Sequence, residues 1–332
     1  MSHFNLHGDL SDFSAGGPNF ILKNLCSTGT IANITFVIIT GYFMVKSKPN
    51  YKKVIGLILD MIFYSYVIFA ILYASGVIQI GGKDLIRTVF PMLFGNWFCI
   101  HYICLYFFIP VLNYILNGMS KRDIEKTIFI MFVLISVIPT FTTAFEFSKH
   151  AAFILAYFVG GYIRLFMNQK NNIKIVTKIL LLDIAAIIFL ISGMIYAGLY
   201  LQNEKIIAFS SHFLTSNDSI FAIIFAICLF FIFKNLKIKN NNIINGIAAS
   251  VLGIYLIHDN VYMRPLIWTK IIPNNLYFDK WCFFAFAITK ILVVFLICLV
   301  IDRIRIIVFG KLRKSIVEVL YAFAKKISEY IL

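Results

Sequence analysis

The sequence predicts an all-α, polytopic membrane helix bundle, on three observations. Of its 332 residues 61% are hydrophobic and only 14% charged, more apolar surface than a soluble domain of this size can hide from water. Apolar runs long enough to cross a bilayer recur from end to end, with short connections between them. Basic residues gather in alternate connections, the charge pattern of a chain threaded repeatedly through a membrane.

Taken in order, the runs predict nine spans, at 27–45, 54–78, 97–117, 127–145, 151–167, 174–200, 217–234, 243–263 and 281–302. One face collects Lys46, Lys48, Lys52 and Lys53, then Lys121, Arg122 and Lys126, then Arg164, Lys170, Lys174 and Lys178, then Lys234, Lys237 and Lys239. Arg303, Arg305, Lys311, Arg313, Lys314, Lys325 and Lys326 follow the ninth span on that same face. The other face carries only Lys23, Lys83, Arg87, Lys149, Lys205, Arg264, Lys270 and Lys280, so the richer face and the C-terminus are expected in the cytoplasm. The formal net charge of +15 then reflects positive-inside bias and attraction to anionic membrane lipid, with no nucleic-acid partner. Six cysteines form no CxxC pair, and five lie in or beside apolar runs, which gives neither a disulfide framework nor a metal site.

A helical membrane domain over 1–302 is thus expected, followed by a second unit at 303–332. There Phe309, Leu312, Ile316, Leu320, Phe323, Ile327 and Ile331 repeat at three- and four-residue spacing, with basic residues largely opposite. That pattern predicts an amphipathic helix in the plane of the cytoplasmic leaflet.

Charged and imidazole groups at membrane depth are costly, and are functional candidates when they face a cavity. Asp60 and Asp183 are single acids in apolar helices, and a buried partner such as Lys290 is as reasonable for them as a mechanistic role. "WFCIHYICLYFFIPVLN" aligns Trp97, His101, Tyr102, Tyr106 and Asn113 along one helix, as an aromatic belt or as a substrate-lining face. Arg87, ahead of Pro91, is a guanidinium suited to an anionic sugar or an acyl oxygen. "YLIHDNVYMRPLIW" puts His258, Asp259, Asn260 and Arg264 at the end of the eighth span. His258 and Arg264 are six residues apart, so they act together only across a break near Asn260. "FVIITGYFMVKSKPNYKK" runs through Thr40, Gly41 and Tyr42 into four lysines, which serve positive-inside bias or phosphate binding.

"SHFNLHG", "FVIITGYFMV", "NWFCIHYICLYFFIPVLN", "FVGGYIRLF" and "GIYLIHDN", in that order along the chain, resemble the bacterial membrane acyltransferase family of the acyltransferase-3 type, which O-acetylates polysaccharides at the cell envelope. The resemblance implies that His3 is the catalytic base. It implies that Thr40, Gly41 and Tyr42 stand for the family's serine-glycine-aromatic turn, with threonine in place of serine. Lys46, Lys48, Lys52 and Lys53 would face the phosphates of acetyl-CoA, the acyl donor, and the acceptor would be a polysaccharide or lipid-linked sugar. Arg87 or Arg264 would steady the developing oxyanion, while Trp97, His101, Tyr102, Asn113, His258 and Asp259 would line the substrate path. The family also keeps an arginine eleven positions ahead of its histidine, about 16 Å along a helix. It has no counterpart in this sequence, which, with the expected orientation, predicts a preceding helix. His7 has no partner that the sequence defines, and is expected to be structural. The competing reading is a transporter or flippase of lipid-linked sugar, built on the same polytopic bundle without acyl transfer.

Overall fold

Apolar runs in lipid must satisfy every backbone donor internally, which leaves helices as the available solution for this sequence. In a computed structural model that describes residues 1–8, 10, 17–79, 82–91, 95–142, 149–167 and 172–331, the described residues are helical throughout, joined by short turns. The elements are α1 (Ser2–Leu6), α2 (Pro18–Leu25), α3 (Gly29–Met44), α4 (Tyr51–Ala74), α5 (Gly82–Val89), α6 (Trp97–Gly118) and α7 (Lys121–Phe141, with a π-helical turn at Val133–Val137). They continue as α8 (Lys149–Phe166), α9 (Ile173–Tyr200), α10 (Glu204–Ser210), α11 (His212–Thr215), α12 (Ile220–Asn235), α13 (Asn242–His258), α14 (Met263–Pro265) and α15 (Phe283–Ile331). Seven stretches among the described residues are long and apolar enough to cross a membrane, and His150–Phe166 and Asn242–His258 are shorter apolar helices. These nine coincide with the nine expected spans.

Asparagine starts the helices repeatedly. The side chains of Asn50, Asn172, Asn203 and Asn241 accept backbone N–H groups at the first turns of α4, α9, α10 and α13, answering donors that have no partner within the helix. Helices α3 and α8 cross at glycines. A Cβ on Gly41 would strike the Tyr157 carbonyl, and one on Gly160 would strike that of Ile38, the close backbone approach that small residues permit in membrane bundles. Gly41, expected in a substrate turn, is therefore occupied by packing.

Two expectations change. The boundary at 302/303 falls inside α15, which runs as one 49-residue helix, so residues 303–331 continue the last span instead of forming a separate unit. Arg305 and Arg313 of that continuation fold onto α4, where both bind Asp60, and Lys52 pairs with Glu318. The apolar stripe Phe309, Leu312, Ile316, Leu320, Phe323 and Ile327 stays exposed, as an amphipathic lipid-facing surface requires. Lys290 is also not the partner of Asp60 or Asp183. Its Nζ donates to Asn274 Oδ1 and to the Ile272 carbonyl, and Asp183 Oδ2 is buried without a hydrogen-bond partner.

Candidate active site

Helix α1 is only five residues long, too short to hold itself together in isolation, and its position depends on anchors. Phe4 is buried against Trp268, Phe283 and Phe286, and its carbonyl accepts from Asn274 Nδ2 at 2.6 Å. Ser2 Oγ accepts the Gly29 N–H at 2.6 Å, and Asn5 Nδ2 donates to the Lys23 carbonyl at 2.8 Å. These contacts fix α1 beside the first turn of α3 and bring His3 to the end of α13.

There His3 meets the residues of "YLIHDNVYMRPLIW". Helix α13 ends at His258, and the chain turns through Asn260, whose Oδ1 accepts the Tyr262 N–H at 3.0 Å and whose carbonyl accepts the Arg264 N–H at 2.9 Å. The break expected from the six-residue spacing is this turn. It lets Arg264 fold back so that its Nε donates to Asp259 Oδ1 at 2.8 Å. Asp259 is 2% exposed. Its other oxygen, Oδ2, accepts from Asn96 Nδ2 at 3.2 Å, and His7 Nε2 and His3 Nδ1 stand 3.5 and 3.6 Å from Oδ1. His7 therefore has a partner, the same carboxylate that serves His3.

The imidazole pair carries the chemistry. His258 Nδ1 lies 2.6 Å from the Ile254 carbonyl, a pure acceptor, so that nitrogen bears the proton and Nε2 bears a lone pair. His258 Nε2 is 2.8 Å from His3 Nδ1, so His3 donates there, and its own Nε2 keeps a lone pair. Second-site hydrogen bonds of this kind set which nitrogen of a histidine acts. Burial pushes the His3 imidazole down from its ordinary 6.5 to about 4, against the pull of Asp259 in the opposite direction. At neutral pH His3 is a neutral base with a carboxylate 3.6 Å away, ready to offset the positive charge it gains on taking a proton.

His3 lines a cavity of about 640 Å³, shared with Asn24, Asn33, Trp97, Asn217 and Asp218. Its volume is that of ordinary small-molecule sites, but its wall is unusually rich in amides and hydroxyls. A second cavity of about 160 Å³ lies against Asp259 and Arg264, with Tyr64 and Asn96 in its wall.

The other expected residues fall at different levels. Trp97 shares the cavity with His3. His101 Nδ1 pairs with the Trp97 carbonyl at 2.8 Å, and its ring stacks on His150 at 4.2 Å. Tyr102 hydroxyl lies 3.4 Å from Thr40 Oγ1, four residues before the end of α3. Tyr106 hydroxyl accepts the Asn50 N–H at 2.9 Å, and Asn113 donates to the Met44 carbonyl at 2.8 Å while accepting from Tyr157 at 2.6 Å. These groups on α6 form a polar column from the cavity toward the α3–α4 turn. At that far end Tyr42 accepts from Arg164 at 3.3 Å, Lys46, Lys48 and Lys53 are exposed, and Lys52 is tied to Glu318. The lysines stand the length of α3 away from His3, about 24 Å for its 16 residues. The Arg87 side chain lies outside the described residues.

Asn96 and the Tyr255 ring, 6.0 Å from His3, are part of this site and escaped sequence reasoning. Asn96 sits directly before "WFCIHY", and Tyr255 is three residues ahead of His258 in "GIYLIHDN", so one helical turn of α13 was the available signal for the latter. No curated protein and no solved structure matches the chain. The acyltransferase domain of the acyltransferase-3 type matches residues 1–303, and the chain therefore belongs to that family and is a membrane acyltransferase.

Proposed function

We propose that the enzyme moves an acetyl group from cytoplasmic acetyl-CoA to a hydroxyl of a cell-envelope polysaccharide or lipid-linked sugar. The observation that carries this reading is the directed pair His258–His3, which leaves the His3 Nε2 lone pair available in a residue that lines a polar cavity. In the proposed reaction His3 Nε2 removes the proton of the acceptor hydroxyl as its oxygen bonds to the acetyl carbon. The bond from that carbon to the coenzyme A sulfur breaks, and the departing thiolate takes the proton back from His3. Asp259 holds the imidazolium between the two transfers, and Arg264, which donates to Asp259 through Nε, keeps that carboxylate in position.

The lysines at the far end of α3 suit the phosphates of the donor. Lys46, Lys48 and Lys53 are exposed there, which fits an anionic group arriving from the cytoplasm. The C-terminus shares that side in the orientation expected from charge. The polar column on α6 links the two ends, and the thioester arm of acetyl-CoA would reach His3 along it.

Sealed vesicles containing the full chain and radiolabelled acetyl-CoA on one side, with envelope glycan on the other, test the reading. Alkali-labile label on the glycan is the expected result. Glycan that crosses at one rate with and without acetyl-CoA, and never carries label, would establish the flippase reading in its place.

A further inference from the structure

Lys290 is a cation on a membrane helix that the proposed proton transfer leaves unused. It is 9% exposed and, among the described residues, makes no ion pair. A buried charge is costly unless other groups hold it, and three of the four groups that hold this one lead to the imidazole pair. Its Nζ donates to Asn274 Oδ1 and to the Ile272 carbonyl. It also lies 5.4 Å from the centre of the Trp268 ring and 5.9 Å from that of Phe4, within reach of a cation–π contact.

Asn274, fully buried, carries the link to α1. An ammonium only donates, so it fixes the amide with its oxygen toward Lys290 and its nitrogen toward the Phe4 carbonyl, to which Nδ2 donates at 2.6 Å. That carbonyl belongs to a five-residue helix, too short to satisfy its own end groups. The chain then passes so close that a Cβ on Gly8 would strike Asn274 Nδ2, and the turn after α1 is seated on the same amide. The rings lead to the other imidazole. Trp268, 2% exposed, stands edge-on to Phe4 at 6.1 Å and to His258 at 6.3 Å between ring centres. His258 is the group that directs His3 Nδ1, so one ammonium borders the supports of both rings.

We infer that Lys290 is a positioning residue for the acyl transfer: through Asn274 it sets α1, and through Trp268 the end of α13, so that His3 and His258 meet at hydrogen-bond distance. This rests on the reading of His3 as the base. A reacting group tolerates little misplacement, since a shift of about 1 Å costs on the order of 100-fold in rate.

The test measures acetyl transfer and the KM for acetyl-CoA with the full chain in vesicles, for two variants made both in the unaltered protein and in His3→Ala. Lys290→Met keeps the length of the side chain and removes every donor. Asn274→Asp keeps the shape, leaves Lys290 an acceptor and takes away the donor to the Phe4 carbonyl; it decides the matter where Lys290→Met does not fold. Each is expected to lower kcat about 10- to 100-fold per folded protein, with the KM for acetyl-CoA unchanged. In His3→Ala neither is expected to lower the remaining rate further, because a residue that acts through His3 has nothing left to position. A purely structural role would scale both backgrounds alike. An unchanged kcat in either folded variant, a KM for acetyl-CoA that rises with the loss of kcat, or an equal fractional loss in the two backgrounds overturns the inference. So does collapse of the whole fold in both variants, which would make the contact part of the bundle and not a clamp on α1. Transfer at the unaltered rate in His3→Ala overturns the underlying reading instead, which separates the two failures.

Discussion

Asp259 and Asp60 are both buried acids at apolar helices, and each binds arginine, Asp60 from 245 and 253 residues away and Asp259 from five residues on. Asp60 is bound at Oδ1 by Arg305 Nη1 and Arg313 Nε, at 2.9 and 2.7 Å, and at Oδ2 by Arg313 Nη2 at 2.7 Å. Arg305 also reaches Asp302, whose Oδ1 accepts from the Tyr64 hydroxyl. Two acids and two guanidiniums pair there, with Asp302 Oδ2 buried and unbonded, and none of the four lines the cavity that His3 shares. Asp259 has one arginine and two imidazoles, and one of those imidazoles, His3, belongs to a residue that lines a cavity and bonds into the network through Nδ1. The difference teaches that a buried charge marks chemistry only when its partners include a group that can change protonation and reach a substrate.

Substituting each acid separates the two roles. Asp259→Ala is expected to lower kcat by roughly 10²–10⁴, the scale of a lost acid-base or charge-stabilising group, measured on the protein that folds in detergent. Asp60→Ala leaves Arg305 with Asp302 as its one acid and the partly exposed Arg313 with none, and is expected to cost about 1–3 kcal/mol of stability. Its readout is a lowered Tm in detergent, with near-normal specific activity in the protein that remains folded. Reversed outcomes would merge the two regions into one.

His258→Phe sharpens the comparison on the active side. The ring is retained in shape, but His3 Nδ1 loses its acceptor, and a misaligned base is expected to cost about 10- to 100-fold in kcat with acceptor KM unchanged. The pH profile of kcat/KM follows from the burial of His3. Its pKa is held below 6.5, at about 4, so the neutral, active form persists as pH falls through 6.5, and the acid limb is expected near pH 4–5. The folded state favours neutral His3, so the associated stability is complete above pH 6.5 and is lost as pH falls toward 4. An acid limb at 6.5 or above contradicts this placement of the ring. The smallest effect belongs to Lys52→Ala or Glu318→Ala, which breaks an exposed pair at the far end. It is expected to change stability by about 0–1 kcal/mol, read as a Tm shift of a few degrees at most.

The apolar helices among the described residues were legible because hydropathy and the need for internal hydrogen bonding act locally, residue by residue. His258, Asp259 and Arg264 were legible as a group because they are close in sequence, and the turn at Asn260 was required by their spacing. His3 was legible only through its family resemblance, since nothing within seven residues of it in sequence shows that it meets an element some 255 residues away. Partner choice was the part that composition hides. Asp60 takes arginines 245 and 253 residues distant instead of Lys290, and Lys290 is taken by Asn274. Gly41 and Asn113 read as substrate-facing from their motifs, yet one is spent on a helix crossing and the other on carbonyl groups of a neighbouring turn.

The most direct measurement is the single-turnover rate of acetyl transfer to envelope glycan by His3→Ala beside the unaltered protein, with folding and acetyl-CoA binding monitored in the same preparations. A loss of roughly 10²–10⁴ in rate, with binding of acetyl-CoA and Tm little changed, is the predicted result. Transfer at the unaltered rate in a folded His3→Ala protein would contradict the account.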